Sequence, residues 1–473
     1  MKNKKKLIFI LSTLIFSFLL NIININPVKA ANFSVSASKS KYSSTQNITI
    51  SYKGSTSSKD WIGIYKAETT PSSQARDAAL AYAYAPNSSG SVTFTPNDFK
   101  TYAYSPQKGT TLDQGTYKAV LLANDGYKKL AECTFQIDGK DPIYTFDVLS
   151  DSHIISSTNV NNNTLDAALK DIKNYSPNSS AIISNGDAVD QSDWNLYSKL
   201  RDIYYNNRVG LPYVYFNLGN HELFDTSANG GNYNLSSFDS KFKNYFLYFS
   251  KNIHHNLGKG TLASDTRTVP YYEEVINGNH FFFLASESVK GGDLADLSDT
   301  QLEWLDNKLW HIAQKKSPEP VFIFCHGALA NTVAGSYSYQ YTIENGIKKT
   351  WNGVLQDSKL RFILNKYPNV FYFSGHSHWN LSSANTMYQD KATYGGGIGA
   401  TLFNGGSVTN LWSDNGGIAG GSQGLHVKVY EDKVVVKGRD YANKKWISDA
   451  VFTINLKDKY DSLNKIYYQS PKE

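Results

Sequence analysis

The sequence predicts two folded parts, an all-β sandwich followed by a larger α/β domain. Three observations predict them. Residues 31–138 alternate apolar and polar side chains in short runs broken by Ser, Gly, Asn and Pro clusters. From Ile143 onward, apolar strand-length runs take turns with helical apolar stripes. Between the two, Gly139-Lys140-Asp141-Pro142 punctuates the chain as a linker. The expected organisation is 1–30 as a signal segment, 31–139 as the β-sandwich and 140–473 as the α/β domain.

The first thirty residues are set aside. Met1 to Lys6 carries four lysines, Leu7 to Leu20 is an apolar run of 14 residues, and Val28-Lys29-Ala30 places small residues at −3 and −1 of a cut. A basic head, a short apolar middle and a small-residue cut read as a secretory signal peptide. The run is short of the roughly 20 residues a spanning helix needs, which argues against a retained anchor. Export to the cell exterior, with no membrane anchor after cleavage, is expected. The signal holds five lysines and no acid, so of 47 basic residues 42 remain against 41 acidic ones. A net charge of about +1 gives no electrostatic case for nucleic-acid binding. The two cysteines, Cys133 and Cys325, fall in different predicted domains, so stability rests on burial rather than cross-links.

In the first domain, strands are expected at Phe33–Ser36, Asn47–Tyr52, Trp61–Tyr65, Ser91–Phe94, Tyr117–Leu122 and Cys133–Ile137. Their short spacing suggests an antiparallel sandwich of about seven strands. In the second, strands at Ile143–Leu149, Ala181–Ser184, Tyr213–Leu218, Pro320–Cys325 and Val370–Ser374 alternate with helices at Thr164–Lys173, Asp193–Tyr204 and Leu355–Leu364. Asn277-Gly278 predicts a hairpin between Tyr272–Ile276 and His280–Leu284. Ser298 and Gln301 form a possible capping box ahead of the stripe Leu302, Leu305, Leu309 and Ile312. Residues 223–270 read as a long insertion rich in Gly, Asn and Ser, of the kind that is functional or disordered.

Polar residues then fall in a pattern. Asp151-Ser152-His153 follows the first strand of the α/β part, Gly186-Asp187 the second, and Gly219-Asn220-His221-Glu222 the third. His326 follows the strand ending at Cys325, and Gly375-His376-Ser377-His378 the one ending at Ser374. Of ten histidines, five lie in these five turns. In α/β sheets the ligand crevice lies at the carboxyl ends of strands. Each motif alone is weak: Gly-Asp after a strand is usually a turn, and Asp-Ser-His often caps a helix. Their conjunction is informative.

In these five blocks the chain resembles the calcineurin-like metallophosphoesterase superfamily, whose signature is Asp-x-His, Gly-Asp, Gly-Asn-His-Glu/Asp, His and Gly-His-x-His in that order. The spacings of 36 residues from Asp151 to Asp187 and 33 from Asp187 to Asn220 are ordinary for it. The resemblance covers about 143–455 and implies a four-layer α/β/β/α sandwich behind an immunoglobulin- or fibronectin-like module. It also implies that Asp151, His153 and His378 hold one metal ion, that Asn220, His326 and His376 hold a second, and that Asp187 bridges them. Mixed carboxylate and imidazole ligands without thiolate suit Mn, Fe or Zn, divalent or trivalent. Two such ions can neutralise phosphoryl charge and turn a bridging water into a nucleophile. The implied roles at substrate are binding by Asn220 and His221, and protonation of the leaving oxygen by His221. Glu222 is expected to orient or charge that ring; the bland alternative is that His221 only hydrogen-bonds phosphate.

Purple acid phosphatases, similar in carrying a β-sandwich ahead of the catalytic domain, have Gly and Tyr where this chain has His153 and Asp190. A tyrosinate–iron centre is therefore not expected. Asp190 reads either as a support for a metal-bound histidine or as an ordinary polar residue. His254 and His255 are expected at the surface; His280, His311, His426 and Cys325 are expected to be structural. The N-terminal module carries its weaker likeness in Trp61-Ile-Gly-Ile-Tyr65 and Leu121-Leu-Ala-Asn-Asp-Gly126, and its role is open between binding cell-wall polymer, rimming the catalytic domain and acting as a spacer. The function expected is a secreted phosphohydrolase acting on a small phosphorylated substrate, first a phosphomonoesterase. The alternatives are a phosphodiesterase on nucleotides, cyclic nucleotides or lipid head groups, and an inactive wall- or matrix-binding protein.

Overall fold

The computed structural model describes residues 32–467 apart from 75–76, 100–111, 113, 140, 156–159, 225–245, 316–318, 340, 345–346, 351–352, 384–385 and 390–398. The expected signal segment lies outside the described residues, as does much of the expected insertion. No helix among the described residues is long and apolar enough to cross a membrane. The chain divides into two compact units, one ending at Asp141 and one beginning at Pro142.

The first unit is strand-rich. Its strands are β1 (Ser34–Ala37), β2 (Lys41–Tyr42), β3 (Ile48–Lys53), β4 (Trp61–Lys66), β5 (Ala81–Tyr84), β6 (Ser89–Phe94), β7 (Gly115–Leu122) and β8 (Lys129–Ile137). They form a three-stranded sheet, β1-β3-β6, and a five-stranded sheet, β2-β8-β7-β4-β5. Alternation decides which side chains meet: Ile48 and Ile50 of one sheet share a buried cluster with Ile62, Ile64, Leu121 and Phe135 of the other. Two strands escape the sequence pattern. β2 is only two residues long, and β5 reads Ala-Tyr-Ala-Tyr with its alanines facing the core and its tyrosines outward.

In the second unit the strands are β9 (Tyr144–Leu149), β10 (Ala181–Asn185), β11 (Tyr213–Asn217), β12 (Tyr272–Ile276), β13 (Asn279–Leu284), β14 (Val321–Cys325), β15 (Tyr341–Glu344), β16 (Ile347–Thr350), β17 (Val370–Ser374), β18 (Met387–Gln389), β19 (Thr401–Asn404), β20 (Leu411–Ser413), β21 (Gly416–Ile418), β22 (Gln423–Val429), β23 (Lys433–Asp440) and β24 (Lys445–Asn455). The helices are α1 (Val160–Tyr175), α2 (Trp194–Asn206), α3 (Tyr248–Asn256), α4 (Asp299–Ala313), α5 (Asp357–Asn365) and α6 (Leu456–Tyr467). Among the described residues two six-stranded sheets dominate, β11-β10-β9-β22-β23-β24 and β12-β13-β14-β17-β19-β18. Strands β9, β10 and β11 run parallel in the first, and β13, β14, β17 and β19 in the second. Facing residues of both sheets, among them Phe146, Phe281, Phe324 and Phe373, share one buried cluster. Leu165, Leu169 and Ile172 of α1, with Leu200 and Tyr204 of α2, pack with Ile182 and Val214 in a second. Leu302, Leu305 and Leu309 of α4 and Leu360 of α5 pack with Phe282 and Ile323 in a third. Strands buried on both faces lose alternation, which is why β14 and β17 read as unbroken apolar runs.

Three expectations change. Ser298 does cap α4 by accepting from the Gln301 amide, but the Gln301 side chain turns away to the Ala285 backbone and Glu287, so the box is half made. The 223–270 stretch contains a helix, α3, and its His254 is buried rather than at the surface. The His254 Nε2 donates to the Val214 carbonyl at 2.6 Å, and Asp265 lies 3.8 Å from Nδ1. Burial is repaid by that pairing. His255, the next residue, is exposed as expected. Cys133 and Cys325 are unpaired.

Candidate metal centre

Parallel strands bring like ends together, so the turns after β9, β10, β11, β14 and β17 emerge on one side of the two sheets. Just beneath them, two buried asparagines tie the sheets. Asn185 donates to the Phe373 carbonyl at 3.1 Å, and Asn217 donates to Leu284 and Phe324 carbonyls at 3.1 and 3.2 Å and to Asn185 Oδ1 at 3.0 Å. Neither was singled out in the sequence; the only signal was a polar residue closing an apolar strand.

On this floor stand the predicted side chains. The ligand atoms of Asp151, His153 and His378 lie within 4.8 Å of one another, and so do those of Asp187, His326 and His376. Asp187 also approaches His153 and His221, at 3.8 and 4.0 Å from their Nε2 atoms. Asn220 lines one cleft with His326, Ser286 and Asp293. Five of these residues hold left-handed backbone: Asp151 (φ 57°), His153 (41°), Asp187 (50°), His376 (66°) and His378 (55°). Each such turn costs roughly 1–2 kcal/mol for a residue with a Cβ, and it persists because the neighbourhood over-determines it. The Asp151 amide donates to Gly186 and the His153 amide to Asp187, at 3.1 and 2.9 Å. The Asp151 carbonyl accepts from Ser407 and Thr409 hydroxyls at 3.2 and 2.9 Å. Gly186 has no substitute there: at φ 88° an added Cβ would also stand 2.5 Å from His326 Nδ1.

The ring nitrogens are sorted by what lies behind them. His326 Nδ1 donates to the Asn185 carbonyl at 2.8 Å, His378 Nδ1 to the Asn410 carbonyl at 3.1 Å, and His153 Nδ1 to Asp190 Oδ1 at 3.1 Å. With Nδ1 carrying the hydrogen, the Nε2 of each neutral ring presents a lone pair inward. The Nε2 atoms of His153 and His378 stand only 3.1 Å apart. Two lone pairs at that distance repel unless a proton or a cation lies between them, and the donor set fits a metal ion.

Two carboxylates supply the charge. Burial pushes Asp151 up, but His378 and His326 overcome it and hold it at about 2. Burial likewise opposes ionisation of Asp187, and His326 and His221 keep it well below the usual carboxylate range. Burial works against a charge on His326, yet Asp187, 2.9 Å away, and Asp151 raise it to about 10. His376 is lowered to about 4 by burial and by the charge of His326.

Glu222 requires a correction. Its carboxylate is fully buried and faces the backbone rather than the His221 ring. It accepts from the amides of Asp187, Ala188, Val189 and Gly219 at 2.7–3.3 Å. The physical reason is that the turns after β10 and β11 leave four buried donors needing one acceptor. Burial and the Asp187 charge push Glu222 up to about 7. The ring of His221 is oriented instead by Asp190, whose carbonyl accepts from Nδ1 at 2.8 Å while its carboxylate stands 3.6 Å off. His221 is the more open of the histidines here, its side chain 24% exposed against 4–5% for His153 and His326.

A family model described as calcineurin-like phosphoesterase matches residues 144–380, half of the chain and all five turns. The chain belongs to the calcineurin-like phosphoesterases. Among solved structures, purple acid phosphatase PPD1 from yellow lupin (Lupinus luteus) seeds is 12% identical over 91% of this chain and 97% of that one, with a TM-score of 0.44. Phosphopantetheinyl hydrolase from Mycobacterium tuberculosis is 14% identical over 56% of this chain and 90% of that one, with a TM-score of 0.30. No curated protein matches. As a calcineurin-like phosphoesterase the chain is a phosphoester hydrolase, and family membership together with the buried His/Asp clusters implies a dinuclear metal centre. In this phosphoesterase Asp190, three residues past Asp187, is a hydrogen-bond partner of His153.

Proposed function

We propose that this phosphoesterase hydrolyses phosphate monoesters with two metal ions. Asp151, His153 and His378 would hold one ion, and Asn220, His326 and His376 the other, with Asp187 between them. The observation that carries the reading is the facing pair of Nε2 lone pairs on His153 and His378 beside two ionised carboxylates. Metal ions bound there would neutralise charge on the phosphoryl oxygens and acidify the attacking water. His221 supplies the proton for the leaving oxygen from Nε2, because its Nδ1 is committed to the Asp190 carbonyl. Asp190 steadies the ring as it gives up that proton, and Asn220 holds the phosphoryl group.

Two sheets sharing a core, with helices packed beyond each, support the four-layer α/β/β/α reading, and the two sheets of the first unit support an immunoglobulin- or fibronectin-like sandwich. The features of residues 1–30 support secretion, which N-terminal sequencing of exported protein at Ala31 would test. For the activity, p-nitrophenyl phosphate and bis-p-nitrophenyl phosphate are compared with added Mn or Zn. Turnover of the monoester at least tenfold faster is expected. Faster cleavage of the diester would overturn the monoester reading, and no cleavage of either by metal-loaded protein would overturn hydrolysis itself.

A further inference from the structure

The two sequence stretches that the phosphoesterase function leaves unused, Trp61–Tyr65 and Leu121–Gly126, meet on the outer face of the five-stranded sheet. Along β4, Ile62 and Ile64 face the core while Trp61, Gly63 and Tyr65 face out. Trp61 pairs across the sheet with Tyr84 and Gly63 with Tyr82. The indole Nε1 of Trp61 donates to the Gly126 carbonyl at 3.2 Å, which brings the β7–β8 turn and Tyr127 alongside. Four aromatic rings result in one patch: Trp61 lies 6.0 Å from both Tyr82 and Tyr127, and Tyr82 6.4 Å from Tyr84. Tyr82, Tyr84 and Tyr127 are 60%, 51% and 42% exposed, an unusual outlay of aromatic surface for one face.

The patch is built rather than incidental. Beneath it Asp60, buried, accepts from the amides of Thr56, Ser57 and Asn124, so both loops flanking the rings are pinned by one carboxylate. Tyr84 donates to Asp125 at 3.0 Å, and Lys59 pairs with Asp125 at 3.3 Å. At the floor lies Tyr65, 1% exposed, whose hydroxyl has no hydrogen-bond partner. It lies over Gly63, where an added Cβ would meet the Tyr65 hydroxyl at 2.8 Å and the Trp61 ring at 2.9 Å.

We propose that this face is a docking platform for a neutral polysaccharide. Sugar rings present flat C–H faces that pack on aromatic rings, and hydroxyl edges that hydrogen-bond to ring-tip oxygens. The patch offers both at once, because each tyrosine has an apolar body and a polar tip. Beside the rings the Lys59 ammonium is paired with the Asp125 carboxylate at 3.3 Å, so that cation is compensated.

The test is a depletion assay of the full chain on microcrystalline cellulose, on chitin and on insoluble xylan, with p-nitrophenyl phosphate hydrolysis measured on the same samples. Wild type is expected to bind at least one of the three. The doubly substituted Tyr82→Ala, Tyr84→Ala protein should bind at least tenfold more weakly, with hydrolysis within twofold of wild type. No binding of wild type to any of the three, or equal binding by the double variant, would overturn the proposal. So would capture by an anionic wall polymer alone that 0.5 M salt abolishes. Because the readout is retention, it fails or stands independently of the phosphoesterase reading.

Discussion

His221 occupies a place where one nitrogen is fixed and the other faces the candidate metal centre. Its Nδ1 is held by the Asp190 carbonyl, and its Nε2 lies 4.0 Å from Asp187 Oδ2. Replacement by asparagine deletes the transferable proton while leaving the six clustered Asp and His ligands untouched. His221→Asn is expected to retain both metal equivalents by elemental analysis and to lose roughly 10²–10⁴ in kcat, the usual worth of a general acid. Full turnover in that variant would refute the assignment. A second expectation concerns protons. Without metal, His326 is raised to about 10 and therefore carries a proton at neutral pH. A metal ion must displace that proton to reach Nε2, so apparent affinity should rise with pH through the neutral range. Calorimetry in two buffers of different ionisation enthalpy should show proton release on metal binding. Identical heats in both would count against it.

Among the elements, the turns after β10 and β11 depend on Glu222. One carboxylate takes four amide hydrogens from residues 187–189 and 219, and so sets the path of the backbone on which Asp187 and Asn220 stand. Glu222→Gln keeps the shape but turns an NH2 group toward amide donors. A loss of about 1–3 kcal/mol is expected in urea unfolding, from unsatisfied buried donors, together with weaker metal retention. Unchanged stability and metal content would show that the clamp is dispensable. Glu222 also shows why part of the site was not legible. Its motif predicts that it matters, and adjacency in sequence suggests His221 as its partner. In a 3₁₀ turn, however, neighbouring side chains diverge, and the partner is decided by three amides 33–35 residues away and a fourth at Gly219. Asp190 shows the reverse: an ordinary-looking polar residue that serves two histidines with two different oxygens. The strands themselves were legible, because β12 and β17 span the residues their apolar runs predict.

At the scale of the molecule, two units meet between Asp141 and Pro142, and every candidate metal ligand belongs to the second. Ligands that bind only folded protein stabilise it by mass action, about 2.7 kcal/mol at a hundredfold excess over Kd. Scanning calorimetry is therefore expected to resolve two transitions, with only one moving upward on addition of Mn or Zn and downward with a chelator. The unmoved transition should belong to the strand-rich unit. A single transition that shifts as a whole would show instead that the units unfold together.

From sequence alone came the division into a strand-rich and an α/β part, the positions of the central strands, and the five polar turns in which the candidate ligands sit. Period-2 alternation, helical stripes and strand-end polarity are local properties, and they survive being read along a line. The three-dimensional structure alone decided which atoms face one another. The left-handed backbone at Asp151, His153, Asp187, His376 and His378, the asparagine ties beneath them and the outward rings of β5 all arise from contacts between distant segments. Such contacts depend on how sheets twist and stack, and no short window of residues encodes that.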